Sequence, residues 1–231
     1  MKKNILIIGG SSGVGLALVK LLCEENNVIV ASRTNETISN LPVSYLPFDV
    51  DKDDLDINKI PDQLNGFVYC PGSINLRPFK GLKQEVFIQD FSINVLGAIK
   101  TLQAVQNNLQ NSETPSSVVL FSTVAVRTGM PFHSSVATAK GALEGLARSL
   151  AAEFAPNIRV NCIAPSLSKS KIAEPMLKNS TIAEGIAKAH PLKRLGEGKD
   201  SAALAKFLIT EESSWVTGQI IAVDGGRSKL S

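Results

Sequence analysis

Three places in this chain carry residue types that could do chemistry. The first is the turn Gly9-Gly10-Ser11-Ser12-Gly13-Val14-Gly15. So many glycines let backbone N–H groups approach a phosphate that side chains would hold off, provided a strand enters the turn and a helix leaves it. Without those flanks it is only a flexible connector. The second is Lys140, beside a stripe of Ala139, Ala142, Leu143, Leu146, Ala147, Leu150, Ala151 and Phe154. Its three- and four-residue steps predict a helix over 133–154, with Val136 one turn before Lys140 on the same side. A lysine there either lays its stem along apolar surface with the ammonium in water, or serves a site. The third is Asn94, amid the apolar positions of a helix predicted over 85–109. A mid-helix asparagine is mildly unfavourable, so it either satisfies a local backbone group or serves a site.

The elements that must position these residues alternate along the chain. Residues 4–8 form a continuous apolar run, the pattern of a buried parallel strand, and enter the glycine turn. Residues 16–23 continue from it as a helix, so both flanks of a dinucleotide cradle are present. Further apolar runs at 28–31, 43–48, 67–70, 117–121, 158–164 and 219–223 predict the other strands. Strands alternating with helices give an α/β, doubly wound parallel sheet with helices on both faces and a ligand crevice at the strands' carboxyl ends. Just past the second strand stand Ser32 and Arg33, with no carboxylate before Glu36. A turn there lies beside the adenosine ribose, where a cation would meet a 2′-phosphate, so NADP(H) is favoured over NAD(H); an exposed loop arginine is the alternative. Asp49, after the third strand, either accepts from an adenine amino group or caps the next turn.

Composition narrows the class. The 231 residues, 44% hydrophobic and 19% charged, suit one α/β domain with a sizeable core, and no linker divides them. The formal charge of +3 comes from scattered residues rather than a basic stripe, so nucleic acid is not an expected partner. Cys23, Cys70 and Cys162 are an odd, widely spaced set in apolar settings, which predicts reduced buried thiols and a cytoplasmic protein. MKKNILIIGG has too short an apolar run for a signal peptide, and no segment is long enough to span a membrane.

Ordered matches along nearly the whole chain resemble the short-chain dehydrogenase/reductase family, of the kind that includes the β-ketoacyl carrier-protein reductases. They are IGGSSGVG at 8–15, Asp49-Val50, Pro71-Gly72, INVLGA at 93–98, AKGALEGLARSLAAEFAPNIRVNCIAPS at 139–166, HPLKRLGEGKD at 190–200 and WVTGQIIAVDGG at 215–226. The resemblance implies a single-domain Rossmann fold that assembles as a homotetramer or dimer and acts on a small-molecule substrate. It also implies cofactor contacts at Gly9, Ser11, Ser12, Gly13, Val14, Gly15, Arg33, Asp49, Val50, Gly72, Lys140, Pro165 and Ser170. Residues 167–189 correspond to the family's variable substrate lid; Lys169, Lys171, Ile172 and Met176 there suit an anionic or amphipathic ligand, or simply a solvated helix.

Family members exchange the substrate proton through a tyrosine in Tyr-x-x-x-Lys, while the lysine lowers that tyrosine's pKa and holds the nicotinamide ribose. By position Lys140 is that lysine, Asn94 the family's asparagine, and Thr123 its serine, with Ser122 adjacent. The tyrosine slot is Val136, which can neither give nor take a proton. Tyr45 and Tyr69, the only tyrosines, do not replace it. Ser166 stands where the family has glycine. Two functions follow. One is an oxidoreductase with a non-standard acid, with His133 first, then Ser135 or a water ordered by Lys140, Asn94 and Thr123, because imidazole is the side chain that ordinarily titrates near neutrality. His133 is otherwise an exposed loop histidine. The other function is a catalytically impaired NADP(H)-binding sensor or partner subunit.

Overall fold

The computed structural model describes residues 2–170 and 172–230, without the side chains of Pro175 and Met176. Of the lid positions named above, Lys171 and the Met176 side chain therefore lie outside the described residues. The strands are β1 (Asn4–Ile8), β2 (Asn27–Ser32), β3 (Val43–Pro47), β4 (Gly66–Tyr69), β5 (Ser116–Phe121), β6 (Ile158–Pro165), β7 (Ser168–Lys169), β8 (Gly196–Glu197) and β9 (Ile220–Val223). The helices are α1 (Gly13–Leu22), α2 (Gln84–Phe91), α3 (Gly97–Gln110), α4 (Ala125–Thr128), α5 (Ser134–Phe154), α6 (Glu174–Leu177), α7 (Ser180–Ala189) and α8 (Gly198–Ile209).

Seven strands form one parallel sheet in the order β3-β2-β1-β4-β5-β6-β9. Side chains alternate across it. Ile5 and Ile7 pack with Leu18, Val19 and Leu22 of α1 and with Ala202, Ala205 and Leu208 of α8. Leu6 and Ile8 face the other way, into a core with Leu102, Val105 and Leu109 of α3 and Leu143 and Ala147 of α5. With both faces covered, the strands are apolar at every position rather than at alternate ones. The chain runs outward from β1 through β2 to β3 and returns to β4 on the other side of β1, so the switch point lies between β1 and β4. There the two turns meet: a Cβ on Gly9 would stand 3.1 Å from Pro71 Cδ.

The helix predicted over 85–109 is not regular throughout. Ser92–Leu96 is a π-turn between α2 and α3. Two side chains compete with the regular ladder there: Asn94 Nδ2 donates to Asp90 O at 2.8 Å, and the Tyr69 hydroxyl donates to Ile93 O. The small β7–β8 pair was not anticipated either; it ties the lid's start to the entry of α8. Among the described residues no helix is long and apolar enough to cross a membrane, and no group of three His, Cys, Asp or Glu could hold a metal.

Candidate active site

The glycine turn sits at the carboxyl end of β1. Gly9 at φ 78° and Gly13 at φ 54° adopt left-handed backbone that glycine takes without strain. Gly15 is required for another reason, since a Cβ there would lie 2.3 Å from Gly9 O. The turn, with Ser11, Ser12 and Val14, forms one end of a cavity of about 970 Å³. Because α1 starts at Gly13, its unpaired N–H groups and positive dipole end face that cavity, the setting that holds a phosphate.

Arg33, Asp49 and Val50 line the same cavity. Arg33 is exposed and, among the described residues, makes no ion pair. Ser32 is not available beside it, because its hydroxyl donates to Thr34 O at 2.8 Å. Asp49 does cap its turn, accepting from Asp51 N at 3.2 Å, yet remains in the cavity wall.

At the other end stands Lys140. It is only 7% exposed, which rules out the snorkelling geometry. Burial brings its pKa down to about 8, against the smaller opposing influences of Cys162, Cys70 and Asp90. A Cβ built on Gly72 would stand 3.1 Å from Asn94 Oδ1 and 3.5 Å from Lys140 Nζ, so the glycine keeps space open beside both polar atoms. Asn94 satisfies a local backbone group, the first of its two alternatives, and leaves one polar atom over. Its Nδ2 donates to Asp90 O and to Ser73 Oγ (3.0 Å), while its Oδ1 is buried and accepts from no described residue. Such an orphaned acceptor is costly unless a ligand or water donates to it.

The remaining predicted residues divide by what their hydroxyls already do. Thr123, Val136, His133, Pro165 and Ser170 all line the cavity. So does Ser122, but its hydroxyl donates to Glu144 Oε1 at 2.7 Å, which withdraws it from donating into the cavity. Ser135 is 1% exposed and donates to Asp90 Oδ2 at 2.6 Å, so it too is committed. His133 is the N-cap of α5, half-buried, with Nδ1 2.8 Å from Pro131 O. Tyr69 is buried and bound to Ile93 O, its phenol pushed well above the ordinary range by burial; Tyr45 donates to Ser32 O.

Two groups escaped the sequence reading. Asp90 is fully buried and accepts from Ser73 Oγ, Asn75 Nδ2 and Ser135 Oγ, three donors drawn from two other segments. Ser166 Oγ and His190 Nε2 are 2.8 Å apart in the cavity wall. In sequence Ser166 stood out only as the residue where the family has glycine, and His190 only as one of the chain's two histidines.

Comparison with known proteins bears on the family and the fold. The family described as Enoyl-(Acyl carrier protein) reductase matches residues 9–228. A tropinone reductase homolog from Arabidopsis thaliana is 31% identical, the match covering 97% of this chain and 91% of that protein. Dehydrogenase/reductase SDR family member 4 from Mus musculus is 29% identical over 97% of this chain and 86% of its own. A solved structure, ElxO with NADP bound, superposes with a TM-score of 0.88 at 25% identity, covering 98% of this chain and 99% of that one.

Proposed function

Because this chain belongs to the short-chain dehydrogenase/reductase family, we propose that it is an NADP(H)-dependent oxidoreductase. It interconverts a carbonyl and an alcohol in a small-molecule substrate with a proton donor other than tyrosine. The observation that carries the reading is a buried Lys140 in the wall of a cavity that ends at the glycine cradle, with the orphaned Asn94 Oδ1 on the far side of the cavity-lining Gly72. These residues fit a nicotinamide dinucleotide: the cradle would hold the pyrophosphate, Asp49 and Val50 the adenine side, and Gly72, Pro165, Ser170 and Lys140 the nicotinamide side. When bound, the nicotinamide would supply or accept hydride. Lys140 would hold a ribose hydroxyl and favour negative charge on the substrate oxygen, and Asn94 Oδ1 would accept from a group or water that bridges to Lys140. Thr123 supplies a hydroxyl for that oxygen.

Arg33 supports the preference for NADP(H). Arg33→Ala should weaken NADPH about 10- to 100-fold, the value of one charge-assisted contact, and leave NADH nearly unchanged in fluorescence titrations. An unchanged ratio would remove that role. Exposed Ile88, Phe91 and Leu96 on one helical run support assembly as a homo-oligomer, a tetramer or dimer. Free, mostly buried thiols support a cytoplasmic setting.

Val136 favours a second reading, in which NADP(H) binds without turnover and the protein serves as a sensor or partner subunit. Loss of general-acid chemistry slows a reaction by about 10²- to 10⁴-fold. A panel of ketones, α-diketones and β-ketoesters with NADPH, run on wild type, Lys140→Ala and Val136→Tyr, separates the two. Wild-type turnover that Lys140→Ala abolishes supports the reductase; turnover only in Val136→Tyr supports the second reading.

A further inference from the structure

We propose that Ser166 and His190 form the proton-transfer pair of this site, standing in for the absent tyrosine; the assignment rests on the reductase reading above. Hydrogen bonding fixes the pair's chemistry. His190 Nδ1 lies 2.7 Å from Ile186 O, and a carbonyl oxygen can only accept, so Nδ1 carries a hydrogen. In the neutral ring Nε2 is then an acceptor, and the Ser166 hydroxyl 2.8 Å away donates to it. When the ring gains a proton, Nε2 becomes a donor to Ser166 Oγ, whose own O–H is released toward the cavity. Protonation of His190 thus converts Ser166 into a donor for a substrate oxygen. Ser166 is held for this role by its backbone, N to Val223 O at 3.2 Å, and the bond from Val124 N to Pro165 O at 3.1 Å brings the Thr123 segment alongside.

The pair also has a route for proton resupply. Ser166 and His190 line both the main cavity and a second one of about 580 Å³, so they stand in the partition between them. His190 itself is only 3% exposed, which keeps bulk water from competing with the serine. The charged groups around it hydrogen-bond elsewhere, although Asp224 lies near enough for its carboxylate and a charged His190 to attract each other. Asp224 accepts from Gly226 N and Ser228 N, Arg227 donates to Ala189 O and Lys193 to Lys188 O. Arg194 pairs with Asp200 and Lys199 with Glu197. None of these hydrogen-bonds the imidazole, so Ser166 and Ile186 O are its polar contacts among the described residues. His133 has no such relay: its imidazole sits half-buried after Phe132, a residue at φ 70° in a loop.

The step balances in both directions. In reduction the carbonyl carbon takes hydride, the C=O π pair moves onto oxygen, and that oxygen takes the Ser166 Oγ proton as His190 Nε2–H passes its own to Oγ. The neutral imidazole regains a proton from solvent reaching the second cavity. In oxidation the alcohol proton goes to Ser166 Oγ and the Ser166 proton to His190 Nε2, the oxygen lone pair forms the C=O π bond, the carbinol C–H leaves as hydride to NADP⁺, and the imidazolium returns its proton to solvent.

The test combines kinetics with a readout that needs no turnover. In ¹⁵N NMR of the cofactor-free protein, Ser166→Ala should shift the His190 Nε2 resonance through loss of its hydrogen bond, and Nδ1 should stay protonated. Ser166→Ala and His190→Gln should each lower kcat for NADPH-dependent reduction at least about 100-fold and flatten its pH profile, with NADPH Kd within about twofold of wild type. Ser166→Thr, which keeps the hydroxyl, should recover most of the loss, and it carries the test if His190→Gln does not fold. Wild-type turnover with kcat and pH profile indifferent to Ser166→Ala, or lost in His133→Gln instead, would overturn this assignment alone. NADPH binding without any wild-type turnover would overturn the reductase reading and this assignment together.

Discussion

Lys140 shows how a single side chain changes meaning with its surroundings. In sequence it borders an apolar stripe, where the stem of a lysine is at home; in the fold the ammonium is buried as well, beside Gly72. The folded chain releases its proton at about 8, whereas an unburied lysine does so at 10.5. Between those values the unfolded chain holds more protons than the folded one, so this residue makes stability rise with pH across that window. Below 8 the burial penalty is present in full, and above 10.5 it has gone. Lys140→Met should therefore stabilise the cofactor-free protein near neutral pH by up to about 3 kcal/mol, the free energy equivalent of that displacement. The gain, read from urea unfolding at several pH values, should shrink towards zero by pH 10.5; a gain independent of pH would contradict the buried-ammonium account. The lysine's presence was legible from the helical period, but its burial was not, because periodicity reports a face and not what covers it.

At the scale of elements, the strand, glycine turn and helix were readable because each step has a local cause. An apolar run makes β1, left-handed backbone needs Gly9 and Gly13, and Gly15 leaves room for Gly9 O. The π-turn at Ser92–Leu96 was not readable. It depends on Tyr69, distant in sequence, whose hydroxyl donates to Ile93 O, and the Asp90 cluster was unreadable for the same reason, since Ser73, Asn75 and Ser135 converge only after folding. Ser166 and His190 meet for the same reason, across a 24-residue separation. The Asp90 cluster ties the Ser73–Asn75 segment, α2 and the start of α5 together. Asp90→Ala would strand three donors and should cost about 2–4 kcal/mol in chemical denaturation. Asp90→Asn keeps acceptor capacity and should cost less. Equal stability of Asp90→Ala and wild type would mean that water satisfies the donors just as well.

For the molecule as a whole, the sheet order brings the two ends of one cavity together at the β1/β4 switch: a phosphate-sized cradle at one end, and a buried cation with an orphaned acceptor at the other. That division predicts separable functions. Changes in the cradle should act on cofactor affinity alone, changes at Lys140 on turnover and on the part of that affinity its ribose contact supplies, and Val136→Tyr on turnover with NADPH binding retained. The central claim is that hydride passes between nicotinamide and a carbonyl carbon here without a tyrosine, and isotope transfer tests it directly. Wild type and Lys140→Ala are incubated with NADPH carrying deuterium at the transferable C4 position and the ketone, α-diketone and β-ketoester panel, and the alcohol products are analysed by mass spectrometry. The account predicts deuterium on the carbinol carbon with wild type and its loss with Lys140→Ala; deuterium transfer seen only with Val136→Tyr would contradict it.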